Sequence, residues 1–323
     1  MSEYPLITFG FVNCNRLFYL KSCVESLLIC TEDYPNREFI VVDNHSLEEG
    51  TDEYLSDLEE RGFKIIKKTK RDPKNEFAIG LNDIVREAKG EFVFPLQGDM
   101  QFILKGSWLK EYVDLYRKYP ENIGCITLDA QRGVTLAGSQ LGIVESDSKM
   151  NFFVDYGRPP TCGAGDVMYS RKTLEKMGPW NEKNHQHEYE GDSETNMLNR
   201  VKEIQLKAEI NWFQIMPSFP VAVATYTDDR GTNARIRGSN RYGDYWEAKE
   251  NNLYYSLVDF IKVDVESLTP YSIETVAKPI GWKAPIDHNG VWRKNPIRPE
   301  TASKDEYTVL PYKDSDFVGE NES

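Results

Sequence analysis

One carboxylate stands directly after a short apolar run in the first third of the chain. Residues 92–96 form this run, and Gln97-Gly98-Asp99 follows it. In open α/β sheets, ligands bind at the carboxyl ends of the strands, where an aspartate suits a metal ion or a polar ligand better than it suits packing. A simple turn is the alternative, because Gly-Asp commonly follows a strand. The sequence therefore predicts a ligand site at Asp99, provided that other strand ends agree.

Polar residues end two further apolar runs. Asn13 to Arg16 follow residues 6–12, and Asp43 to Ser46 follow residues 39–42. A helix cap or a turn explains any one of these ends, since Asn, Asp and Ser favour both positions. Three polar ends at one edge of one sheet instead predict a binding site.

A second group of carboxylates lies in the run Glu190-Gly-Asp192-Ser-Glu194, at the predicted start of a helix. Acidic residues are favoured in a first helical turn by the helix dipole, and this effect alone would account for one of them. Three together predict an active site, in which a carboxylate could accept a proton from a reacting group.

The elements that must position these side chains alternate between strand and helix. We predict strands over residues 6–12, 39–43, 63–67 and 91–96, and helices over residues 17–29, 52–61 and 77–89. This alternation is typical of an α/β fold with a mostly parallel sheet and helices on both faces.

Composition excludes several classes of protein. The net charge of −13 argues against a protein that wraps a nucleic-acid backbone, because such proteins need a basic face. No apolar segment approaches membrane-spanning length, and the N-terminus lacks the features of a signal peptide, so we expect a cytoplasmic protein with no transmembrane segment. The five cysteines form no CxxC pair, which favours reduced, packed thiols over a zinc site.

The order of these motifs resembles a known family. Asn13-Cys-Asn-Arg16, Val-Val-Asp43-Asn-His-Ser46, Ala78-Ile-Gly-Leu-Asn82 and Leu96-Gln-Gly-Asp99 are similar to the nucleotide-binding half of family 2 glycosyltransferases. Residues 163–182 and 190–200 resemble the second block of that family, which ends in an acidic motif on a helix. The resemblance implies the GT-A fold, a Rossmann-like α/β arrangement with a mostly parallel sheet.

The resemblance also implies roles for the strand-end residues. Asp43 would recognise the nucleotide base, and an Asx turn is the alternative reading of that residue. Asp99 would bind Mn²⁺ or Mg²⁺ together with the donor diphosphate, and His288 is a candidate for a further metal ligand. The other residues expected to contact the nucleotide are Asn13, Arg16, Asn82 and Gln97.

The proton acceptor has two candidates. Counting back from Arg200, the catalytic acidic position of the family falls on Glu194, while Asp192 lies close enough to exchange roles with it. Ser193 stands where the family has an acidic residue. We therefore keep both Glu194 and Asp192 as catalytic candidates.

A basic loop contains Arg235 and Arg237 among several glycines. Guanidinium groups on such a loop suit a diphosphate, and the alternative is a solvated loop that pairs with surface carboxylates. We include both arginines among the expected cofactor-binding residues.

The expected organisation is a GT-A catalytic domain over residues 1–240, with a nucleotide-binding half (1–100) and an acceptor half (101–240). A helical appendage over 241–295 and a mobile tail over 296–323 would follow. The expected function is the transfer of a sugar from a nucleoside-diphosphate sugar to a carbohydrate or other hydroxyl acceptor. We expect a UDP-linked donor, assistance by a metal ion, inversion at the transferred carbon, and a place in glycan biosynthesis. A nucleotidyltransferase and a catalytically degenerate nucleotide-sugar-binding module are the alternatives, and homo-oligomerisation stays open.

Overall fold

The computed structural model describes residues 2–98, 100–102, 104–128, 141–156, 165–183, 193–207, 209–217, 221–224, 262–268 and 307–309. The helices are α1 (Leu17–Cys30), α2 (Thr51–Glu60), α3 (Glu76–Glu87), α4 (Trp108–Lys118), α5 (Arg171–Met177) and α6 (Ser193–Leu206). The strands are β1 (Ile7–Asn13), β2 (Arg37–Asp43), β3 (Lys64–Lys67), β4 (Phe92–Leu96), β5 (Met100–Phe102), β6 (Leu104–Gly106), β7 (Ile123–Thr127), β8 (Leu141–Val144), β9 (Phe152–Asp155), β10 (Val167–Ser170), β11 (Phe213–Pro217), β12 (Ala222–Ala224), β13 (Lys262–Val263) and β14 (Tyr307–Val309).

The chain divides into two compact units. The first unit contains residues 1–100, 161–201 and 313–323, and the second contains residues 101–160 and 202–312. Residues 161–201 therefore belong with the N-terminal hundred residues in one unit.

The first unit is built on strands in the order β3-β2-β1-β4-β10. The three pairs among β3, β2, β1 and β4 are parallel, and β10 runs antiparallel to β4. In the register of β1 and β2, Asn13 is the partner of Asp43. The last residues of two neighbouring strands thus meet at the carboxyl edge of the sheet.

The core of this sheet explains why these segments form strands. Every residue of β1 and of β4 is buried, as expected for strands covered on both faces. Phe9 stacks on Phe94 with ring centroids 5.0 Å apart. Helix α3 packs closely on β1, since a Cβ at Gly10 would lie 2.1 Å from a side-chain carbon of Ile84. The glycine permits this close approach of α3 to β1.

The predicted elements of this region are confirmed, with ends that differ by one or two residues. The strand predicted over 6–12 is Ile7–Asn13, and the helix predicted over 77–89 is Glu76–Glu87. Helix α3 ends early because Ala88 adopts an extended conformation, with φ −62° and ψ 136°. The predicted α/β fold is also confirmed.

The second unit has a mixed sheet in the order β7-β11-β9-β8-β13. Strands β7 and β11 are parallel, as are β8 and β13, whereas β9 is antiparallel to both of its neighbours. Strand β14 pairs antiparallel with β6. The aromatic core includes Trp108 and Tyr112 of α4, with Tyr112 packed edge-on against Phe152.

Most of the predicted appendage (241–295) and tail (296–323) lies outside the described residues. Within the part of the chain that the structure describes, no helix has both the length and the apolar character needed to cross a membrane.

Candidate functional site at the carboxyl edge of the first sheet

Three side chains at the ends of β1 and β2 form what we call the strand-end cluster: Asn13, Asp43 and Ser46. Asn13 Nδ2 donates to Asp43 Oδ1 over 2.8 Å, and Ser46 Oγ donates to the same oxygen over 2.6 Å. The backbone N–H of Ser46 donates to Asp43 Oδ2 over 2.9 Å. Asn13 and Asp43 are only 2% and 4% exposed. The carboxylate is therefore buried and held in one orientation by three donors.

The loops around this cluster hold each other in place. Asn15 Oδ1 accepts from the backbone N–H groups of Leu47 and Glu48, over 2.7 and 3.2 Å. Asn15 and His45 both adopt positive φ angles, of 49° and 60°. Left-handed conformations of non-glycine residues are uncommon and concentrate at functional sites. The two loops thus form a fixed frame at the sheet edge.

Arg16 lies at the N-cap position of α1 and is half-buried. Glu48 Oε2 accepts from the backbone N–H of Leu17 over 2.8 Å, which satisfies one of the free donors at the start of that helix. Arg16 is therefore close in sequence to the strand-end cluster. It lies at a helix start that Glu48 of the β2–α2 loop stabilises.

One buried acceptor in the cluster has no hydrogen-bond donor. Asn13 Oδ1 is buried and lacks a partner. A buried polar atom without a partner is costly, so this oxygen favours a donor from outside the described residues. An N–H group of a bound molecule would satisfy this oxygen.

Burial and nearby charges at this edge of the sheet disfavour the thiolate form of Cys14. Burial, and then the negative charge of Glu76, raise the pKa of the Cys14 thiol to about 11. Arg71 stands nearby with its guanidinium hydrogen-bonded to both carboxylate oxygens of Glu76, at 2.8 and 2.6 Å. This hydrogen bonding to Glu76 raises the pKa of Arg71, which keeps one fixed positive charge near the cluster.

The end of β4 carries the second part of the site. Gln97 Nε2 donates to Glu194 Oε1 over 3.1 Å, and the backbone N–H of Gly165 donates to the same oxygen over 3.0 Å. Gly98 adopts a φ of +81°, and a Cβ there would lie 3.0 Å from the carbonyl oxygen of Val12. The chain therefore turns tightly against β1 after Gln97. The structure brings Gln97 and Glu194 together, two residues that the sequence marked separately.

Asn82 has a different environment from the one that the sequence suggested. Its Nδ2 donates to the Trp180 carbonyl over 2.9 Å and to Glu182 Oε1 over 2.8 Å, and its Oδ1 accepts from the Trp180 N–H over 2.8 Å. The amide thus joins α3 to the turn after α5. A role of Asn82 in binding a nucleotide stays a prediction.

Five of the predicted site residues lie outside the described residues: Asp99, Asp192, Arg235, Arg237 and His288. Among the residues that the structure does describe, no group of three His, Cys, Asp or Glu side chains could hold a metal ion.

Three further residues contribute to the site without having been predicted as site residues. Ser46 completes the strand-end cluster, Gly165 donates to Glu194, and Asp166 Oδ1 accepts from the backbone N–H of Gln97 over 3.0 Å. All three lie within the motifs that carried the family resemblance. Their position in a motif was the available signal, but their roles depend on contacts that spacing does not show.

Comparison with protein families gives one match that covers more than half of the 323-residue chain. The model for glycosyl transferase family 2 matches residues 10–178. The matched segment contains Asn13, Asp43, Gln97 and Gly165, whereas Glu194 lies beyond it.

A curated relative, the uncharacterized protein y4gI of Sinorhizobium fredii, is 31% identical over 128 residues, which make up 39% of this chain and 13% of that protein. The chain therefore spans a small part of the length of that relative. Among solved structures, it is similar to mannosyltransferase PcManGT from Pyrobaculum calidifontis in complex with GDP-Man and Mn²⁺, with 16% identity, a TM-score of 0.47, and 77% of this chain and 64% of that one covered. It is also similar to TarS 1-349 from S. aureus, with 14% identity, a TM-score of 0.44, and 61% of this chain and 55% of that one covered.

Proposed function

Because the chain belongs to glycosyl transferase family 2, we propose that it transfers a sugar from a nucleoside-diphosphate sugar to a hydroxyl group of an acceptor. We propose a UDP-linked donor, assistance by a divalent metal ion, and inversion at the transferred carbon. The product would be a glycoside, as expected for an enzyme of glycan biosynthesis.

One observation carries this proposal. Two carboxylates stand at the carboxyl edge of the same sheet, Asp43 buried at the end of β2 and Glu194 held at the end of β4. Sugar transfer needs two different functions, recognition of the nucleotide and removal of a proton from the acceptor. A buried and a half-buried carboxylate at one edge suit these two functions respectively.

In the proposed mechanism the strand-end cluster binds the nucleotide base. Asp43 accepts a hydrogen bond from a ring N–H, and the unpartnered Asn13 Oδ1 accepts another donor of the nucleotide. Arg16, at the start of α1, lies near enough in sequence to contact the diphosphate or the base. Arg235 and Arg237 keep the role that the resemblance implies and bind the diphosphate. Asn82 pairs with Trp180 and Glu182, and its contact with the nucleotide stays a prediction.

Glu194 acts as the general base in this mechanism. Its carboxylate accepts the proton of the acceptor hydroxyl as the oxygen attacks the sugar on the side opposite the diphosphate, which gives inversion. A positioned base of this kind contributes about a hundredfold to ten-thousandfold to the rate. Asp192 remains the second candidate for this role.

Asp99 offers the hard carboxylate oxygen that Mg²⁺ and Mn²⁺ prefer, and His288 is a candidate for a further ligand. When bound, such an ion stabilises the negative charge that develops on the departing diphosphate. Because Gln97 is uncharged, Asp99 would supply one firm protein charge to the ion, and oxygens of the donor would be needed as additional ligands. We therefore expect metal binding to be weak without nucleotide.

Replacement of the proposed metal ligand tests this part of the mechanism. Asp99→Asn should remove most of the turnover while the fold, measured by circular dichroism, is unchanged. Addition of a chelator to the wild-type protein should have the same effect and be reversed by excess Mn²⁺. Near-normal turnover of Asp99→Asn at saturating donor would contradict the assignment of Asp99.

The proposed function itself is tested with a panel of donors. UDP-glucose, UDP-galactose, UDP-N-acetylglucosamine and GDP-mannose are incubated with the protein and Mn²⁺, and released nucleoside diphosphate is measured together with the melting temperature. We expect hydrolysis of at least one UDP-sugar, and a stabilisation of about 2.7 kcal/mol by a donor at a hundred times its dissociation constant. Stabilisation without hydrolysis in the presence of acceptor sugars would favour a degenerate binding module. Release of pyrophosphate from UTP and a sugar phosphate would favour a nucleotidyltransferase.

A further inference from the structure

We propose that Gln97 is a positioning residue for Glu194, so that the two side chains work as a matched amide–carboxylate pair. This proposal rests on the proposed function, in which Glu194 is the general base. It assigns Gln97 a role other than contact with the nucleotide or with a metal ion at the nearby Asp99, because its amide would act on the carboxylate that removes the proton.

The contact between the pair is direct. Gln97 Nε2 and the backbone N–H of Gly165 both donate to Glu194 Oε1, over 3.1 and 3.0 Å. Two donors on one carboxylate oxygen fix the orientation of the group. The two donors come from the end of β4 and from the turn that leads into β10, so Glu194 is held from outside its own helix.

Gln97 is itself held by that turn. The backbone N–H of Gln97 donates to Asp166 Oδ1 over 3.0 Å, and the Asp166 N–H donates to the Pro95 carbonyl over 2.9 Å. Asp166 adopts a φ of +61°, an uncommon conformation for a non-glycine residue. Such a conformation persists only where the surrounding structure requires it. We refer to Gln97, Gly165 and Asp166 as the Glu194 seat.

The space within the Glu194 seat fits these particular residues. A Cβ at position 165 would lie 2.8 Å from Cγ of Gln97 and 3.1 Å from the Pro95 carbonyl oxygen. The first distance is shorter than real Cβ contacts, so a larger residue at 165 would displace the Gln97 side chain. Glycine at this position therefore permits both the Gln97 conformation and the close approach of its own N–H to Glu194.

The charge of the pair explains why residue 97 is an amide. A carboxylate at position 97 would stand within hydrogen-bonding distance of Glu194, and two carboxylates at that distance do not both ionise. The proposed general base must be ionised to accept a proton. Glutamine supplies an N–H donor with the length of glutamate and without its charge.

Two replacements of Gln97 by residues of similar size distinguish positioning of Glu194 from binding of a metal ion at residue 97. Gln97→Met removes the donor, and Gln97→Glu also adds a negative charge. Turnover is measured with the most rapidly hydrolysed of UDP-glucose, UDP-galactose, UDP-N-acetylglucosamine and GDP-mannose. We expect Gln97→Met to lower kcat about tenfold with KM for the donor changed by less than about twofold, and Gln97→Glu to lower kcat further. Activity of Gln97→Glu at or above that of the wild type would overturn the proposal, because an acidic metal ligand at this position would then be favourable.

The same change in a variant that lacks the base shows whether Gln97 acts through Glu194. In Glu194→Gln, the additional replacement Gln97→Met should change the residual turnover by less than about twofold, because residues that act as one unit are not additive. If Gln97→Met lowers the turnover of Glu194→Gln by the same factor as it lowers the turnover of the wild type, the proposal is overturned.

A measurement without turnover keeps this inference separate from the proposed function. The side-chain amide signal of Gln97 in protein labelled with ¹⁵N-glutamine is assigned by its loss in Gln97→Met. It should shift in Glu194→Met and stay unchanged in Glu203→Gln, which alters an exposed residue of the same helix. An unshifted signal in Glu194→Met would overturn the pairing even if the protein transfers sugar. A shifted signal with no hydrolysis of any donor would leave the pair intact and contradict the proposed function.

Discussion

The strand-end cluster and the Glu194 seat lie at the ends of strands in one sheet, but they are built in different ways. The strand-end cluster joins Asn13 to Asp43 and Ser46, which follow it by 30 and 33 positions, and Asn13 and Asp43 are buried. The Glu194 seat joins residues separated by 29 and 97 positions around a half-buried carboxylate. The first is a network within one βαβ unit, and the second is assembled from more distant segments.

This difference corresponds to the two functions that the site must serve. A buried, fully framed carboxylate is suited to recognising a ligand in one orientation, because its hydrogen bonds need not change. A carboxylate that takes up a proton has to be accessible to the acceptor, while its orientation is still fixed by neighbouring donors. The comparison predicts that changes in the strand-end cluster affect binding, and changes at the Glu194 seat affect turnover.

The largest effect is expected at Glu194. Glu194→Gln should lower transfer about a hundredfold or more while the affinity for the donor is preserved, because proton removal from the acceptor is the step that is lost. Turnover and donor affinity are measured by nucleotide release and calorimetry, with Glu203→Gln as the control on the same helix. If Asp192→Asn has the large effect and Glu194→Gln a small one, the base is Asp192. Normal transfer in both variants would rule out a general base at this helix.

The next largest effect is expected at Asp43. Asp43→Ala should weaken binding of free UDP about tenfold to a hundredfold, since it removes a charged acceptor and leaves its buried donors unpaired. The effect on kcat at saturating donor should be smaller. Calorimetric titration with UDP measures the affinity, and Asp57→Ala, an exposed carboxylate on α2, serves as the control. An unchanged affinity would remove Asp43 from the nucleotide site.

A smaller and mainly structural effect is expected at Asn82. Asn82→Ala should lower the free energy of unfolding by about 1–3 kcal/mol, because the buried N–H and carbonyl of Trp180 lose their partner. Its effect on UDP affinity should be less than that of Asp43→Ala. Thermal and urea unfolding measure the loss, with Ser56→Ala on the surface of α2 for comparison. A loss of UDP affinity as large as that of Asp43→Ala, with stability unchanged, would instead place Asn82 in the nucleotide site.

The smallest effect concerns Cys14, next to the strand-end cluster. Its pKa is raised to about 11, mainly by burial, so little thiolate exists at pH 8. Alkylation by iodoacetamide should be slow at pH 8 and become faster as the pH approaches 11, and bound UDP should slow it further. The modified residue is identified by mass spectrometry, with Cys14→Ser as the control. Rapid alkylation of Cys14 at pH 8 would contradict the raised pKa of this half-buried thiol.

The sequence was sufficient to predict the elements that carry the site. Strands β1 and β4 are continuous apolar runs, and helix α3 has a regular apolar face, so their positions follow from periodicity. Proximity of Asn13 and Asp43 also followed, because the ends of adjacent parallel strands meet.

The contacts between distant segments could not be predicted in this way. Gln97 and Glu194 are separated by 97 residues, and Asn82 and Trp180 by 98, so no local pattern indicates that they touch. The positive φ of Asp166 is also imposed by its tertiary surroundings, since aspartate has only a modest preference for that conformation. These features depend on how the chain returns to the sheet after the second unit, and only the three-dimensional structure shows them.

The most direct test of sugar transfer is a proton NMR time course of UDP-N-acetylglucosamine, UDP-glucose, UDP-galactose and GDP-mannose, each with the protein, Mg²⁺ as the diamagnetic ion and a mixture of simple acceptor sugars. For at least one UDP-sugar, we predict that the anomeric signal of the donor decays as free UDP appears, and that the first product has the opposite anomeric configuration. In Glu194→Gln the donor should bind but its signal should persist. Persistence of every donor signal in the wild-type protein, or a first product with the anomeric configuration of the donor, would contradict the proposed inverting transfer.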